Sequence, residues 1–168
     1  MAEPGKLDDL YREVILDHYR DPRGRKRVEG ATVQAEGFNP VCGDECTVAL
    51  RVEGDRVGAI QVGGRGCSIS VASGSILAEL LPGKTLADAE RLVQAFRAMM
   101  HGRETPADLD LGDLEVLAGI KDFPVRVKCA LLAWTTLESG LHGHQEATTE
   151  GTADDLLTGG GGSSAGPI

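Results

Sequence analysis

Hydrophobic and polar positions change period along the chain, and these changes divide it into predicted helices and strands. Between Leu7 and His18 the apolar residues recur at the spacing of one helical face, and Pro22 would end that helix. Residues 45–53 instead alternate apolar and polar side chains, as a half-buried strand does. The pattern therefore predicts an N-terminal helix followed by a sheet.

The predicted fold combines three strands with about five helices. The tight turn EGDR joins residues 45–53 to a hairpin partner at 56–63, and residues 32–36 form a weaker third strand. After the sheet come helical segments at 67–81, 85–100, near 114, and at 124–141. Because the strands are grouped before most of the helices, we expect an α+β domain with a small three-stranded antiparallel sheet.

The chain is expected to form a single domain over residues 1–144. A chain of 168 residues is long enough to bury one hydrophobic core and too short for two comfortable domains. Residues 145–168 are polar, rich in glycine and without periodicity, and this composition predicts a disordered tail.

Charge and composition argue against several classes of partner. The net charge of -9 argues against general binding to nucleic acid, which needs a clustered basic surface. A short basic cluster between Arg20 and Arg27 is either a solvated loop or a docking patch for an acidic partner. The sequence has no apolar run long enough to span a membrane, and its first residues lack the pattern of a secretory signal. We therefore expect a cytoplasmic protein with no membrane partner.

The cysteines are the main candidates for chemistry. In a reducing compartment, metal binding or thiol chemistry explains them better than a disulfide framework does. Cys42 lies in a predicted turn, Cys67 at a predicted helix start, and Cys129 near the start of the last helix. The positive end of a helix lowers the pKa of a nearby thiol and so favours the thiolate, which is both metal ligand and nucleophile.

The residues alone leave the role of these cysteines open. Three convergent thiolates and the carboxylate of Asp44 would complete a tetrahedral site for zinc, with the carboxylate as the more exchangeable ligand. The spacing of Cys42, Cys67 and Cys129 is not a zinc-finger pattern, however, so separate burial of each cysteine remains an alternative. Asp44 could equally be a turn residue. Cys46 is in phase with the apolar positions of its strand, and we predict that it is buried and not a ligand.

Four motifs follow one another between residues 7 and 140: LYREVILDHYRDPRG, NPVCGDE, GRGCSISVASGS and FPVRVKCALLAW. Together, and in this order, they resemble the SufU branch of the IscU-like (NifU N-terminal-like) iron-sulfur cluster assembly proteins. The resemblance implies a small antiparallel sheet packed by helices, in agreement with the periodicity. Lys128, where IscU scaffolds carry a histidine, and a longer segment between Cys67 and Cys129 favour the SufU branch.

The resemblance also implies which residues bind metal. Carried over residue by residue, the ligands are Cys42, Asp44, Cys67 and Cys129. The implied metal is Zn²⁺, and the alternative is iron or an iron-sulfur cluster. Arg126 lies about one helical turn before Cys129 and matches an arginine near the metal in that family; we expect it to screen the thiolate charge, unless it is a surface residue.

The implied function is that of a zinc-dependent sulfurtransferase. Proteins of this branch take persulfide sulfur from a SufS-type cysteine desulfurase, which uses pyridoxal phosphate, and pass it to downstream Suf scaffold proteins. Cys129 is the implied acceptor. The alternative is an iron-sulfur scaffold that holds a nascent cluster on the same ligands, and a third possibility is a zinc-stabilised interaction module without chemistry.

Overall fold

The computed structural model describes residues 4–149, which contain four α-helices, one 3-10 helix and four strands. In chain order these are α1 (Pro4–Arg20), β1 (Val33–Asn39), β2 (Asp44–Glu53), β3 (Arg56–Arg65), α2 (Ser68–Leu80), α3 (Leu86–Met100), the 3-10 helix (Gly112–Asp122), α4 (Pro124–Leu141) and β4 (Glu146–Thr148). The predicted α+β class and the number of helices are confirmed over these residues.

The sheet differs from the prediction. Its strand order is β3-β2-β1-β4, with antiparallel pairing throughout β1, β2 and β3 and parallel pairing of β4 to β1. The expected three-stranded antiparallel sheet is therefore a mixed sheet of four strands. β4 has only three residues, and the backbone N–H of Glu36 donates to the carbonyl of Gln145 at 2.8 Å beside it. A strand this short has no hydrophobic period to reveal it.

β4 lies in the segment that the sequence assigns to a disordered tail. The prediction of disorder was wrong for Glu146–Thr148, where Glu36 pairs with Glu146 and Phe38 with Thr148. The rest of the predicted tail, residues 150–168, lies outside the described residues.

α2 and α4 pack against the sheet, and the other helices pack on these two to enclose the core. Val48 and Leu50 of β2 point into it, and Trp134 of α4 is completely buried. The Trp134 ring lies 4.9 Å from that of Phe96 between centroids, and its Nε1–H donates to Ser73 Oγ at 3.0 Å. Because Ser73 Oγ in turn donates to the carbonyl of Ala130 at 2.6 Å, α2 and α4 are held together near the start of α4. This contact positions the N-terminal ends of both helices.

His18 joins three elements in a buried polar junction. Its Nδ1 lies 2.7 Å from Ser75 Oγ of α2, and its Nε2 lies 3.0 Å from Asp113 Oδ2 of the 3-10 helix. The Arg23 backbone N–H also donates to Ser75 Oγ, at 2.8 Å. Since Ser75 is only 2% exposed and its hydroxyl is fully engaged, this Ser-His-Asp arrangement fixes α1 in place and offers no nucleophile.

The structure also bears on two smaller expectations. Within the basic cluster, the Arg23 side chain forms ion pairs with Asp17 and Glu79 of the protein itself. Among the helices described between residues 4 and 149, none has the length and hydrophobicity that crossing a membrane requires.

Candidate metal centre

Three segments bring the predicted ligands to one end of the sheet. Cys42 lies in the turn from β1 to β2, Cys67 caps the start of α2, and Cys129 lies in the second turn of α4. The turn is closed by the Gly43 backbone N–H, which donates to the carbonyl of Asn39 at 2.7 Å. Gly43 has a φ of 77°, a left-handed conformation that glycine adopts without a steric cost.

Three of the four predicted ligands form a mutually close set, and the fourth, Cys67, contacts one of them. The sulfur atoms of Cys42 and Cys129 are 3.4 Å apart, and donor atoms of Cys42, Asp44 and Cys129 lie within 4.8 Å of one another. The sulfur of Cys67 lies 3.7 Å from Asp44 Oδ2, and its backbone N–H donates to Asp44 Oδ1 at 3.2 Å. Asp44 belongs to the mutually close set, and its carboxylate is also the group that contacts Cys67.

Two of these separations match those around a tetrahedral zinc ion, whereas the sulfur of Cys67 lies outside the set of donors that are within 4.8 Å of one another. With Zn–S bonds of about 2.3 Å and a Zn–O bond of about 2.1 Å, two sulfur ligands are about 3.8 Å apart and a sulfur and an oxygen about 3.6 Å apart. The observed distances are 3.4 Å between the sulfurs of Cys42 and Cys129, and 3.7 Å between Cys67 sulfur and Asp44 Oδ2. Three thiols and one carboxylate also form a donor set suited to a borderline-soft ion. The residues present fit the implied metal.

Burial controls the electrostatics of the centre. Cys129 and Asp44 are 0% and 3% exposed, whereas Cys42 is exposed to solvent. Burial raises the pKa of Cys129 well above its usual range, and its contact with the Cys42 thiol adds to the shift. Without a cation, Cys129 is therefore held as a neutral thiol at neutral pH. A bound metal would reverse this preference, because coordination deprotonates a thiol.

Two sources of positive potential face the sulfurs. The Ser70 backbone N–H, at the start of α2, donates to the sulfur of Cys67 at 3.5 Å. Arg126 interacts most strongly with the thiol of Cys67 and more weakly with that of Cys129. Both interactions raise the pKa of the Arg126 guanidinium. Arg126 is exposed to solvent, and its role toward the thiols of Cys67 and Cys129 stays a prediction.

Cys46 lies apart from this centre. It is 5% exposed within the hydrophobic core, where burial raises the pKa of its thiol to about 12. The predicted burial of Cys46 in its strand is confirmed. A neutral thiol in an apolar setting is a poor ligand and a poor nucleophile.

Sequence reasoning missed two residues that shape the centre. Asn39 is completely buried, and its Nδ2 lies 3.8 Å from the sulfur of Cys129. Gly66 leaves room for Asp44, because a Cβ at that position would lie 2.8 Å from the carboxylate. The NP dipeptide predicts a turn at Asn39, but contact with a residue 90 positions away has no local signal.

Large apolar side chains remain exposed on the segments that carry the ligands. Phe38 and Val41 are 45% and 53% exposed in β1 and the turn that follows it. Phe123 and Val125 are 59% and 51% exposed at the start of α4. We call these four residues the apolar rim.

The fold and the donor set define a small α+β protein with a candidate thiolate–carboxylate metal centre at one end of its sheet. Residues 10–144 match the NifU-like N terminal domain family, and the chain belongs to this family. The resemblance to IscU-like iron-sulfur cluster assembly proteins, inferred from four motifs, is thereby confirmed.

Individual relatives carry two different functional names. The chain is 41% identical over 141 residues to the zinc-dependent sulfurtransferase SufU of Bacillus subtilis, across 84% of this chain and 95% of that protein. It is 37% identical over 137 residues to the iron-sulfur cluster assembly scaffold protein IscU of Streptococcus pyogenes, across 81% of this chain and 85% of that protein.

Solved structures share the fold. The crystal structure of a proposed iron-sulfur cluster assembly scaffold protein for the SUF system, from Fervidobacterium islandicum, aligns with a TM-score of 0.73 and 36% identity. That alignment covers 77% of this chain and 94% of the other. A NifU-like N-terminal domain from Brucella abortus aligns with a TM-score of 0.73 at 20% identity, which supports the fold alone.

Proposed function

We propose that the protein is a zinc-dependent sulfurtransferase of iron-sulfur cluster assembly, in which Cys129 accepts persulfide sulfur from a cysteine desulfurase. The observation that carries the proposal is the 3.4 Å separation of the Cys42 and Cys129 sulfurs, with the Asp44 carboxylate in the same group. One sulfur of the pair is buried and the other exposed, so the centre has a protected thiol next to a solvent-facing ligand. The name of the B. subtilis relative supports the same activity.

The transfer is a thiol–disulfide exchange. The thiolate of Cys129 attacks the outer sulfur of a persulfide on the desulfurase. A new S–S bond forms on Cys129, the old S–S bond breaks, and the desulfurase cysteine leaves as a thiolate with the bonding electron pair. The exchange has no net redox change and needs no further reactant.

Cys42, Asp44, Cys67 and Cys129 would hold the zinc ion. When bound, zinc supplies the positive charge that keeps these thiols deprotonated. Asp44 is the harder ligand among soft ones, so it is the donor that exchanges most readily. Arg126, close to Cys67 and Cys129, screens the charge of their thiolates at the open side of the centre.

The apolar rim is the surface on which we place the desulfurase. Val41 immediately precedes the exposed ligand Cys42, and Phe123 and Val125 lie at the start of the helix that carries Cys129. Large apolar side chains around a reactive group mark an interaction site more often than single scattered ones do. A SufS-type desulfurase that uses pyridoxal phosphate would bind here, and downstream Suf scaffold proteins would receive the sulfur.

An iron-sulfur scaffold is the second candidate. The 37% identity to the S. pyogenes IscU scaffold favours it, and the same four ligands would serve a nascent cluster. The two functions differ in metal and in partner. A scaffold binds iron and sulfide and need not stimulate a desulfurase, whereas a sulfurtransferase contains zinc and does.

Desulfurase assays with paired cysteine variants test the proposal. We expect the purified protein to contain about one zinc ion and to stimulate its cognate desulfurase. Cys129→Ala should abolish stimulation, whereas the control Cys46→Ala, a buried cysteine outside the centre, should retain it. Normal stimulation by a folded Cys129→Ala variant would refute sulfur transfer through Cys129. A stable cluster without stimulation would favour the scaffold.

A further inference from the structure

We propose that Asn39 is a positioning residue for the thiol centre, with a side-chain amide that ties the Cys42 loop to the sulfur of Cys129. Asn39 is the last residue of β1, its register partner is Asp44, and it is 0% exposed. A buried amide must find partners for both its oxygen and its nitrogen. The inference rests on the proposed function, since it concerns the residues proposed to bind zinc.

The oxygen end of the amide organises the loop. The Val41 backbone N–H donates to Asn39 Oδ1 at 3.1 Å, which is the hydrogen bond of an Asx-turn. The backbone carbonyl of Asn39 accepts the Gly43 N–H at 2.7 Å. One residue thus fixes the backbone on both sides of Cys42.

The nitrogen end reaches the second thiol. Because Val41 requires an acceptor, Oδ1 must face the loop, and this settles which end of the amide points to each partner. Nδ2 therefore faces Cys129 and donates to its sulfur at 3.8 Å. This donor presents positive partial charge to a sulfur that becomes negative as a metal ligand. Hydrogen bonds to ligand atoms orient the ligand and raise metal affinity.

The oxygen and the nitrogen of the Asn39 amide both bear on the distance between the sulfurs of Cys42 and Cys129. The Cys42 and Cys129 sulfurs lie 3.4 Å apart, on a loop and a helix that are remote in sequence. The amide of Asn39 bridges these two segments through hydrogen bonds at its oxygen and its nitrogen. We infer that it sets the geometry in which the pair binds zinc.

Two substitutions of Asn39 remove the contact of its nitrogen with Cys129 and keep an oxygen that accepts the Val41 N–H. Asn39→Ser keeps an oxygen that can accept the Val41 N–H, but its side chain is too short to reach Cys129. Asn39→Asp has nearly the shape of asparagine and keeps the acceptor, but it turns an oxygen toward the sulfur. In competition with a chromophoric chelator, we expect both variants to bind zinc about ten- to a hundred-fold more weakly. The zinc-free variants should also lose some stability, because a buried hydrogen-bonded amide is altered, so the control below has to separate this loss from the loss of zinc affinity.

Thr136→Ala is the matched control. Thr136 is buried in α4, about two helical turns after Cys129, and donates to the carbonyl of Leu132 at 2.7 Å; the thiol beside it is that of Cys46, which lies outside the centre. This variant should lose stability and keep its zinc affinity. Unchanged zinc affinity in both Asn39 variants, or zinc loss that merely follows unfolding temperature across all three variants, would overturn the role of Asn39.

The same measurements keep this inference distinct from the proposed function. An unmodified protein that binds zinc, loses it in the Asn39 variants and fails to stimulate a desulfurase would refute sulfur transfer and support the positioning role. An unmodified protein that stimulates the desulfurase while the Asn39 variants keep full zinc affinity would refute the positioning role alone. A protein that binds no zinc would overturn both.

Discussion

The sulfur atoms of Cys42 and Cys129 lie 3.4 Å apart, although 87 positions separate the two residues. The contact depends on a tight turn after β1 and on α4, which packs against β1 and β2. Asp44, at the start of β2, completes the group from the same turn. Local turn geometry and long-range packing therefore both determine whether this centre forms.

Asp44→Ala should weaken the centre without unfolding the protein. Three thiols remain as ligands, but the buried carboxylate also accepts the Cys67 backbone N–H, so we expect a loss of about 1–3 kcal/mol in unfolding free energy. Chelator competition and thermal unfolding measure the two effects. Glu45→Ala, which removes an exposed neighbouring carboxylate paired with Arg65, should leave zinc affinity unchanged. Complete unfolding of Asp44→Ala would instead indicate a structural site.

Gly66→Ala should disturb the ligands through sterics alone. The added Cβ would lie 2.8 Å from the Asp44 carboxylate, which must then move away from Cys67. We expect weaker zinc binding in the chelator assay. Gly119→Ala is the matched control, because a Cβ there meets no atom within 4 Å. Equal zinc affinity in the two variants would show that the Asp44 position does not matter.

Ser75→Ala tests the junction at His18 as a purely structural feature. The change removes the partner of His18 Nδ1 and of the Arg23 backbone N–H, both at a buried position. We expect a loss of about 1–3 kcal/mol in the free energy of unfolding, measured by urea denaturation. Zinc content and desulfurase stimulation should be unaffected. A selective loss of stimulation at unchanged stability would assign this junction a function.

Cys46 should make the folded protein less stable at alkaline pH. Burial raises the pKa of its thiol from an ordinary 9.0 to about 12, so the unfolded chain loses this proton at lower pH than the folded protein does. Stability is therefore unaffected below pH 9 and falls above it, by about 1.4 kcal/mol per pH unit from this thiol. Urea denaturation from pH 8 to 11 should show a shallower decline for Cys46→Ala. An identical decline would contradict the assigned burial effect.

Much of the fold is encoded in local patterns. The alternation along β2 correctly predicts that Cys46, Val48 and Leu50 are buried, and helical spacing predicts α1 and α4. Local patterns do not predict β4, because its three residues pair through the backbone and carry no hydrophobic alternation. The Ser139 hydroxyl near the end of α4 donates to the carbonyl of Glu146 at 2.9 Å and so ties β4 to that helix.

The centre could be predicted only in part. Spacing alone left Cys42, Cys67 and Cys129 as either a shared site or separate buried thiols, and the family motifs favoured the shared site. Their proximity arises from the packing of α2 and α4 on the sheet, which no local pattern specifies. For the same reason the contact of Asn39 with Cys129 becomes visible only in the folded chain.

Locating the transferred sulfur tests the central proposal most directly. The zinc-loaded protein is mixed with its cognate desulfurase and free cysteine, exposed thiols are alkylated, and the digested peptides are analysed by mass spectrometry. We predict a persulfide on the Cys129 peptide, none on the Cys46 peptide, and loss of the signal in Cys129→Ala. A persulfide confined to Cys42 or Cys67, or an assembled cluster without any persulfide, would contradict sulfur transfer through Cys129.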